Sequence, residues 1–236
     1  MHLDMSGSLT PKSSSAQISA FLAEAKRTPA PYSGARGRLI FALDATMSRQ
    51  PTWDMALGLQ GRMFDAAAEI GGLDVQLVYF RGRGECKASR FVSQGEGLAA
   101  LMEAISVRGG MTQLRRVLVH ARDEAKAARV GALVFVGDAM EENVDRLSAA
   151  AGELALVGVK AFLFQEGDDP AARRAFQEIA RITGGAYEAF GPGAAARLAA
   201  LLSAAASYAA GGRAALEALA AREPEARRLL TQMRDG

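Results

Sequence analysis

Residues 38–48 read RLIFALDATMS, and this stretch indicates the fold class of the chain. Its first six residues are almost continuously hydrophobic, which is typical of a strand buried on both faces of a sheet. The run ends at Asp44, and two hydroxyl residues, Thr46 and Ser48, follow closely. Ligands of parallel sheets bind at the carboxyl ends of the strands, so these oxygen-bearing side chains are candidate functional residues.

Five further segments have the composition of strands, and longer amphipathic segments separate most of them. We predict strands over residues 75–80, 132–136, 160–165 and 186–190, and an edge strand over residues 85–92 that returns as a hairpin. Strands that alternate with helices of this length imply parallel crossovers. The predicted fold is therefore α/β and doubly wound: a mostly parallel six-stranded sheet with helices on both faces and one antiparallel edge strand.

The two ends of the chain differ in composition from this α/β region. Residues 1–35 are predicted to be a flexible N-terminal segment with a short helix, and residues 36–192 to be the α/β domain. Residues 193–236 form a predicted alanine-rich helical C-terminal extension. Its leucines could either cover the sheet or contact a partner, and the sequence leaves both open: Leu198, Leu201, Leu202, Leu216 and Leu219.

Composition excludes several classes of protein. The 236 residues are 50% hydrophobic and 23% charged, as in ordinary globular domains. The net charge of +2 argues against a protein that binds duplex DNA, although a local basic patch is compatible with it. Cys86 is the single cysteine and there are two histidines, so a disulfide framework and a Cys- or His-rich metal site are excluded.

No targeting segment is visible in the sequence. The N-terminus lacks the basic and apolar regions of a secretory signal. The most apolar stretch, residues 194–210, contains Arg197 and is a poor membrane span. We therefore expect a cytoplasmic protein that does not associate with membranes.

Polar residues follow two of the predicted strands and open one of the helices. Asp44, Thr46 and Ser48 follow the first strand, Thr112 comes after a glycine-containing loop, and Asp138 follows strand 132–136. Over residues 38–190 this pattern resembles an intracellular bacterial von Willebrand factor type A (VWA) domain with a metal-ion-dependent adhesion site. That family's motif is Asp-x-Ser-x-Ser with a distant Thr and a distant Asp; here Thr46 replaces the first serine and keeps its hydroxyl.

The resemblance implies a metal site and a mode of binding. It implies that Ser48, Thr46 and either Thr112 or Asp138 ligate the ion, with Asp44 ligating or acting through water. Oxygen ligands of this kind select a hard cation such as Mg²⁺ or Mn²⁺. An Asp or Glu of a partner protein would complete the coordination. The implied function is a non-enzymatic adaptor, in bacterial relatives often beside an AAA+ ATPase system.

Other interpretations of the same residues remain open at this stage. Thr112 could cap its helix, and Asp44 and Asp138 could accept backbone hydrogen bonds in turns. A Mg²⁺-dependent phosphohydrolase could use Asp44 as its nucleophile, although it would want a second carboxylate where Thr46 stands. An RNA-associated module is the third possible function.

Side chains beside the motif could shape the surface around the ion. Met47, Met111 and Met140 are predicted to form an apolar rim that grips the partner, or else to pack inward. Glu141 and Glu142 could complement a helix N-terminus, repel acidic partners or compete for the ion.

Overall fold

The computed structural model describes residues 36–46, 50–82, 84–106, 108 and 110–233. The predicted N-terminal segment, Met47 and Ser48 lie outside these residues. The strands are β1 (Gly37–Asp44), β2 (Leu73–Arg81), β3 (Glu85–Val92), β4 (Ala132–Gly137), β5 (Lys160–Glu166) and β6 (Ala186–Phe190). The helices are α1 (Gln50–Leu59), α2 (Gly61–Ala68), α3 (Gly95–Glu103), α4 (Leu114–Ala127), α5 (Val144–Leu156), α6 (Pro170–Thr183), α7 (Ala195–Ala220) and α8 (Pro224–Gln232).

The six strands form one sheet in the order β3-β2-β1-β4-β5-β6. Neighbouring strands are parallel except β2 and β3, which pair antiparallel as a hairpin. The chain builds outward from β1 to β2 and β3 and then crosses to β4, so the strand order reverses between β1 and β4. The predicted fold class is confirmed, and the reversal marks the crevice where such sheets bind ligands.

Alternate residues of the central strands pack on opposite faces of the sheet, which explains their continuous hydrophobicity. In β1, Leu39, Phe41 and Leu43 belong to the hydrophobic cluster beneath α1, α2, α3, α7 and α8. Ile40 and Ala42 belong to the second cluster, beneath α4, α5 and α6. Both faces are therefore covered, as the sequence of β1 predicts.

The C-terminal helices complete the first of these faces. Helix α7 contacts β1, β4 and α2. Four of its leucines are fully buried and Leu219 is partly buried. A Cβ on Gly37 would lie 2.5 Å from the carbonyl oxygen of Ala209 in α7, and one on Gly131 would lie 2.9 Å from the same atom. The alanines of α7 and these glycines thus permit a close approach, so the leucines cover the sheet.

Local signals explain most element boundaries. The side chain of Asn143 accepts a hydrogen bond from the backbone of Arg146 (3.0 Å), and Asp169 caps α6 ahead of Pro170. The sequence predicts one helix over residues 52–70, whereas the structure has two, α1 and α2, divided at Gln60. The flanking glycines have low helix propensity, which favours this division. No helix among the described residues combines the length and hydrophobicity needed to cross a membrane.

Candidate functional site

Two of the candidate carboxylates lie side by side at the reversal of strand order. Asp44 is the last residue of β1, Asp138 directly follows β4, and the register pairs Leu43 with Val136. Ideal strands about 4.8 Å apart with a rise of about 3.3 Å per residue would place their Cα atoms about 6 Å apart. The two residues therefore start from adjacent positions at the edge of the sheet where a ligand is expected.

Thr112 joins its own loop to the loop after β4. Its Oγ1 donates a hydrogen bond to the carbonyl oxygen of Ala139 (3.1 Å), and its backbone N–H donates to Oε2 of Glu141 (3.2 Å). Gln113 and not Thr112 occupies the N-cap position of α4. The Thr112 hydroxyl instead bonds Ala139, the residue that follows Asp138.

The turn after β1 is held from two directions. Oδ1 of Asp44 accepts a hydrogen bond from the backbone N–H of Thr46 (2.8 Å), and both side chains are buried, with 5% and 6% exposed. The backbone of Ala45 donates to Phe80 in β2 and accepts from Arg108, each at 3.0 Å. A carboxylate has about four acceptor positions, so the bond to Thr46 is compatible with metal ligation by Asp44.

The structure thus connects all three motif loops by hydrogen bonds. The Asp44 turn contacts the loop that carries Arg108 and Thr112, and Thr112 contacts the loop that carries Asp138. Ser48, the remaining member of the predicted ligand set, lies outside the described residues.

The methionines differ in exposure. The side chain of Met111 is 53% exposed, beside Thr112. Met140 is half-buried and packs against the cluster beneath α4, α5 and α6, which is the inward packing considered from the sequence. Met47 lies outside the described residues; among those that are described, Met111 and Val144 at the start of α5 are exposed apolar side chains in the motif loops and the helix that follows them.

The donor chemistry of these loops suits a hard cation. Among residues 36–46, 50–82, 84–106, 108 and 110–233, no cluster of three or more His, Cys, Asp or Glu residues is found. The candidate ligands among these residues are two carboxylates, Asp44 and Asp138, and the hydroxyls of Thr46 and Thr112. Such oxygen sets fit Mg²⁺ or Mn²⁺, and Mg²⁺ commonly keeps several waters beside one or two carboxylates.

Sequence reasoning missed a buried contact between β5 and α1. Oε2 of Glu166 accepts a hydrogen bond from Oγ1 of Thr52, and the Glu166 side chain is 7% exposed. Thr52 lies in the first turn of α1, a few residues after the DATMS motif, and Glu166 ends β5. The position of Glu166 at a strand end was visible in the sequence, but its partner was not. The contact joins the first turn of the helix after the motif to the end of β5.

The acidic pair after β4 supports the neighbouring loop. Oε1 and Oε2 of Glu142 accept from the backbone N–H of Arg115 at 3.2 and 3.3 Å, while Glu141 binds Thr112. Burial raises the pKa of Glu142, and the bonds from the N-terminus of α4 oppose that rise. The pair complements a helix N-terminus, but that of α4 rather than of α5, the helix that follows the pair.

Solved structures with VWA domains are similar to this chain, whereas no protein-family profile and no curated protein sequence matches it. A von Willebrand factor type A protein from Catenulispora acidiphila has a TM-score of 0.60 at 13% identity, over 74% of this chain and 43% of that one. The SpRpn10 VWA domain has a TM-score of 0.55 at 12% identity, over 70% and 95%.

A third similar structure is an aerotolerance-related membrane protein from Bacteroides fragilis, with a TM-score of 0.52 at 20% identity, over 65% of this chain and 91% of that one. Identities this low establish a shared fold and leave the chemistry of the site to its own residues. The strand order, the hairpin at one edge and these similarities together show that the chain has the fold of a VWA domain.

Proposed function

We propose that this protein is a metal-dependent, non-enzymatic adaptor that recognises an Asp or Glu of a partner protein. The metal would be Mg²⁺ or Mn²⁺, held by Asp44, Thr46, Ser48, Thr112 and Asp138. The observation that carries the proposal is the hydrogen bond from Thr112 to Ala139, because it joins two motif loops at the strand ends that carry Asp44 and Asp138.

The chain's own residues would position and expose the ion. Asp44 holds the turn after β1 through the Thr46 backbone, and the buried surroundings of both side chains strengthen electrostatic attraction. When bound, the ion supplies an electrophilic centre, and a ligand set with few carboxylates leaves it positive enough to attract another. The hydroxyl of Thr112 donates a hydrogen bond to the carbonyl oxygen of Ala139, and its oxygen lone pairs can face other partners.

The same residues favour binding over catalysis. A phosphohydrolase with Asp44 as nucleophile would use an acid/base carboxylate two residues later, and Thr46 cannot supply one. Asp44 is also buried, with one carboxylate oxygen engaged by the Thr46 backbone, which disfavours attack on a bulky phosphate ester.

The kind of partner is inferred by analogy with similar structures. These include the SpRpn10 VWA domain and the human COPII-coat protein Sec24c, the latter with a TM-score of 0.51 at 12% identity. The resemblance to intracellular bacterial members supports a cytoplasmic protein partner, including a component of an AAA+ ATPase system, rather than DNA or a membrane.

Affinity purification from an extract of the source cell tests this function. The wild-type protein with Mg²⁺, the wild type with EDTA and the variant Asp44→Ala are compared, with Asp65→Ala on the exposed face of α2 as the matched control. We expect a partner to be retained by the wild type and by Asp65→Ala in Mg²⁺ alone. A partner that survives EDTA and Asp44→Ala would contradict metal dependence. Phosphatase activity abolished by Asp44→Asn would replace the proposal with the hydrolase.

Substitution of the exposed Met111 tests separately whether apolar contacts beside the metal site bind the partner. Met111 is large, flexible and 53% exposed beside Thr112, so we expect Met111→Ser to weaken binding of the captured partner by about three- to tenfold. Mg²⁺ affinity should stay unchanged in isothermal titration calorimetry. Equal partner affinity in Met111→Ser and wild type would show that Met111 does not form an apolar rim that binds the partner.

A further inference from the structure

A half-open cavity of about 630 Å³ lies along β3, α4 and α5, and its walls are rich in cationic side chains. Two acidic residues, Asp123 and Glu153, also line it. The cationic residues are Lys87, Arg115, Arg116, Arg122 and Arg146. Five cations against two acids leave an excess of three positive charges, whereas the whole chain has a net charge of only +2.

The acids in the wall are already paired with one arginine. Arg122 contacts both Asp123 (2.7 Å) and Glu153. Arg116 donates to neutral groups, the carbonyl oxygen of Gly84 and Oε1 of Gln113. Lys87 is paired with Glu85, which lies outside the wall (3.3 Å). The wall's own carboxylates therefore leave Arg115, Arg116 and Arg146 without an ion pair.

Two arginines of the cavity are exposed, and the side chain of one of them is unpaired among the described residues. Within the described part of the chain, the side chain of Arg146 makes no hydrogen bond or ion pair, and both Arg115 and Arg146 are exposed. Arg115 interacts electrostatically with the carboxylate of Glu142, which also accepts a hydrogen bond from the Arg115 backbone.

Helix stability does not favour the positions of three of these arginines. Arg115 and Arg116 lie in the first turn of α4, and Arg146 lies in the first turn of α5. Positive side chains there oppose the helix macrodipole, which favours acidic residues at this end. Arg116 is held by its bonds to Gly84 and Gln113, so Arg115 and Arg146 are the two cations whose positions are better explained by binding of an anionic group.

We propose that this cavity binds a second acidic residue of the same partner segment that completes the metal site. The inference rests on the proposed function, because it places the two contacts on one partner. Arg115 follows Thr112 by three residues, and its backbone is bound to Glu142 in the loop that begins with Asp138. The cavity therefore adjoins the motif loops, and a short extended segment at about 3.3 Å per residue reaches from one to the other.

The character of the walls favours carboxylates over RNA. No Phe, Tyr or Trp lines the cavity, and its one ring, the imidazole of His120, is half-buried and hydrogen-bonded to Gln76, so unpaired bases would find little to stack on. Asp123 and Glu153 would repel a continuous phosphate backbone, whereas separated carboxylates can each meet an arginine in a bidentate pair. The cavity is thus suited to spaced acidic side chains.

The walls also differ from those of an enclosed small-molecule pocket. Among the described residues, the buried side-chain polar atoms without a partner are Gln60 Oε1 and Arg197 Nε, and neither residue lines this cavity. The described walls therefore contain no buried, unpartnered polar atom that a small ligand would satisfy. The exposed arginines suit a partner chain that lies on the surface.

Fluorescence anisotropy with a labelled peptide of alternating glutamate and glycine tests the inference. The double variant Arg115→Glu/Arg146→Glu should bind it at least about fivefold more weakly than wild type, in Mg²⁺ and in EDTA alike. Its affinity should also depend less on salt concentration. Arg228→Glu on α8 is the control with the same charge change, and Arg115→Gln/Arg146→Gln tests loss of charge without reversal. Circular dichroism checks that each variant is folded.

The outcomes separate this inference from the proposed function. Peptide binding that requires Mg²⁺ and Asp44 but is unchanged in both double variants would contradict binding at the cavity and leave the metal-site proposal intact. Binding that persists in EDTA and in Asp44→Ala but falls in the double variants would support the cavity and contradict the metal site. Oligouridine RNA that binds more tightly than the peptide through the same arginines would overturn the acidic partner in favour of RNA.

Discussion

Thr112 shows how one residue can serve both the fold and the site. A threonine hydroxyl has one proton and two lone pairs, and in Thr112 the O–H donates a hydrogen bond to the carbonyl oxygen of Ala139. The lone pairs can then face a cation without competition from that bond. The side chain is 7% exposed, so its surroundings hold the hydroxyl in a defined direction.

Substitution of Thr112 separates the hydroxyl from the shape of the side chain. We expect Thr112→Ser to keep Mn²⁺ affinity within about threefold of wild type, because the hydroxyl is retained. Thr112→Val has nearly the same volume but no hydroxyl, and should lose at least about tenfold. Calorimetric titration measures both. Equal affinities for the two variants would show that the hydroxyl does not contribute to metal binding.

His120 makes stability depend on pH. Burial lowers the pKa of its imidazole below the ordinary 6.5, and the carboxylates of Glu124 and Asp123 oppose this shift. Its Nε2 lies 2.8 Å from Oε1 of Gln76, whose amide nitrogen donates to Ser89. The unfolded chain therefore binds a proton at a higher pH than the folded chain, so the stabilising effect of neutral His120 is present above pH 6.5 and lost below it.

Urea unfolding at several pH values tests the role of His120. The free energy of unfolding of the wild type should fall between about pH 7.5 and about pH 5.5 by more than that of His120→Gln, which cannot titrate. Parallel pH profiles for the two proteins would show that His120 is not responsible for the change.

At the scale of elements, hydrophobic runs predicted the strands and the topology, because a strand buried on both faces admits few polar residues. The end of β1 at Asp44 and of β4 before Asp138 followed from those runs. The contacts of Thr112 with Ala139 and of Glu166 with Thr52 could not be predicted, because they join residues far apart in the chain. Propensity and periodicity are local and carry no information about such pairs.

Gly110 sets the position of the Thr112 loop. Gly110 and Gly82 form an isolated parallel bridge, and a Cβ on Gly110 would lie 2.3 Å from the backbone nitrogen of Gly82. We expect Gly110→Ala to displace Thr112 and to weaken Mn²⁺ binding by at least about tenfold. Gly152→Ala is the control, since a Cβ there meets nothing within 4 Å and helix α5 should gain about 0.5–1 kcal/mol. Wild-type Mn²⁺ affinity in Gly110→Ala would contradict this role of the loop.

At the scale of the whole molecule, the C-terminal helices are part of the folded unit. Helix α7 covers β1 and β4 on the face opposite α4, α5 and α6. Helix α8 reaches the outer edge of the sheet, where the side chain of Gln232 accepts from the Tyr187 backbone and donates to Glu188, each at 3.0 Å. These contacts protect the edge strand β6 from pairing with other chains. The sequence left open whether α7 packs or docks, because alanine and leucine stripes suit both.

Gly37 tests how closely α7 must approach the sheet. Its Cβ would lie 2.5 Å from both the Ala209 oxygen and the Ala210 Cα, so Gly37→Ala should lower the free energy of unfolding by about 1–3 kcal/mol. Gly58→Ala in α1 meets nothing within 4 Å and should leave stability unchanged or slightly raised. Thermal and urea unfolding measure both. Equal stability of Gly37→Ala and wild type would show that α7 can move away at no cost.

The most direct measurement of the central claim is a titration with Mn²⁺ followed by electron paramagnetic resonance. If the three motif loops hold a divalent ion, the wild type binds one Mn²⁺ per chain, Mg²⁺ displaces it, and Asp44→Ala and Thr112→Val lose it while remaining folded. Wild-type protein that binds no Mn²⁺ at millimolar concentration, or variants that bind it as the wild type does, would contradict the account.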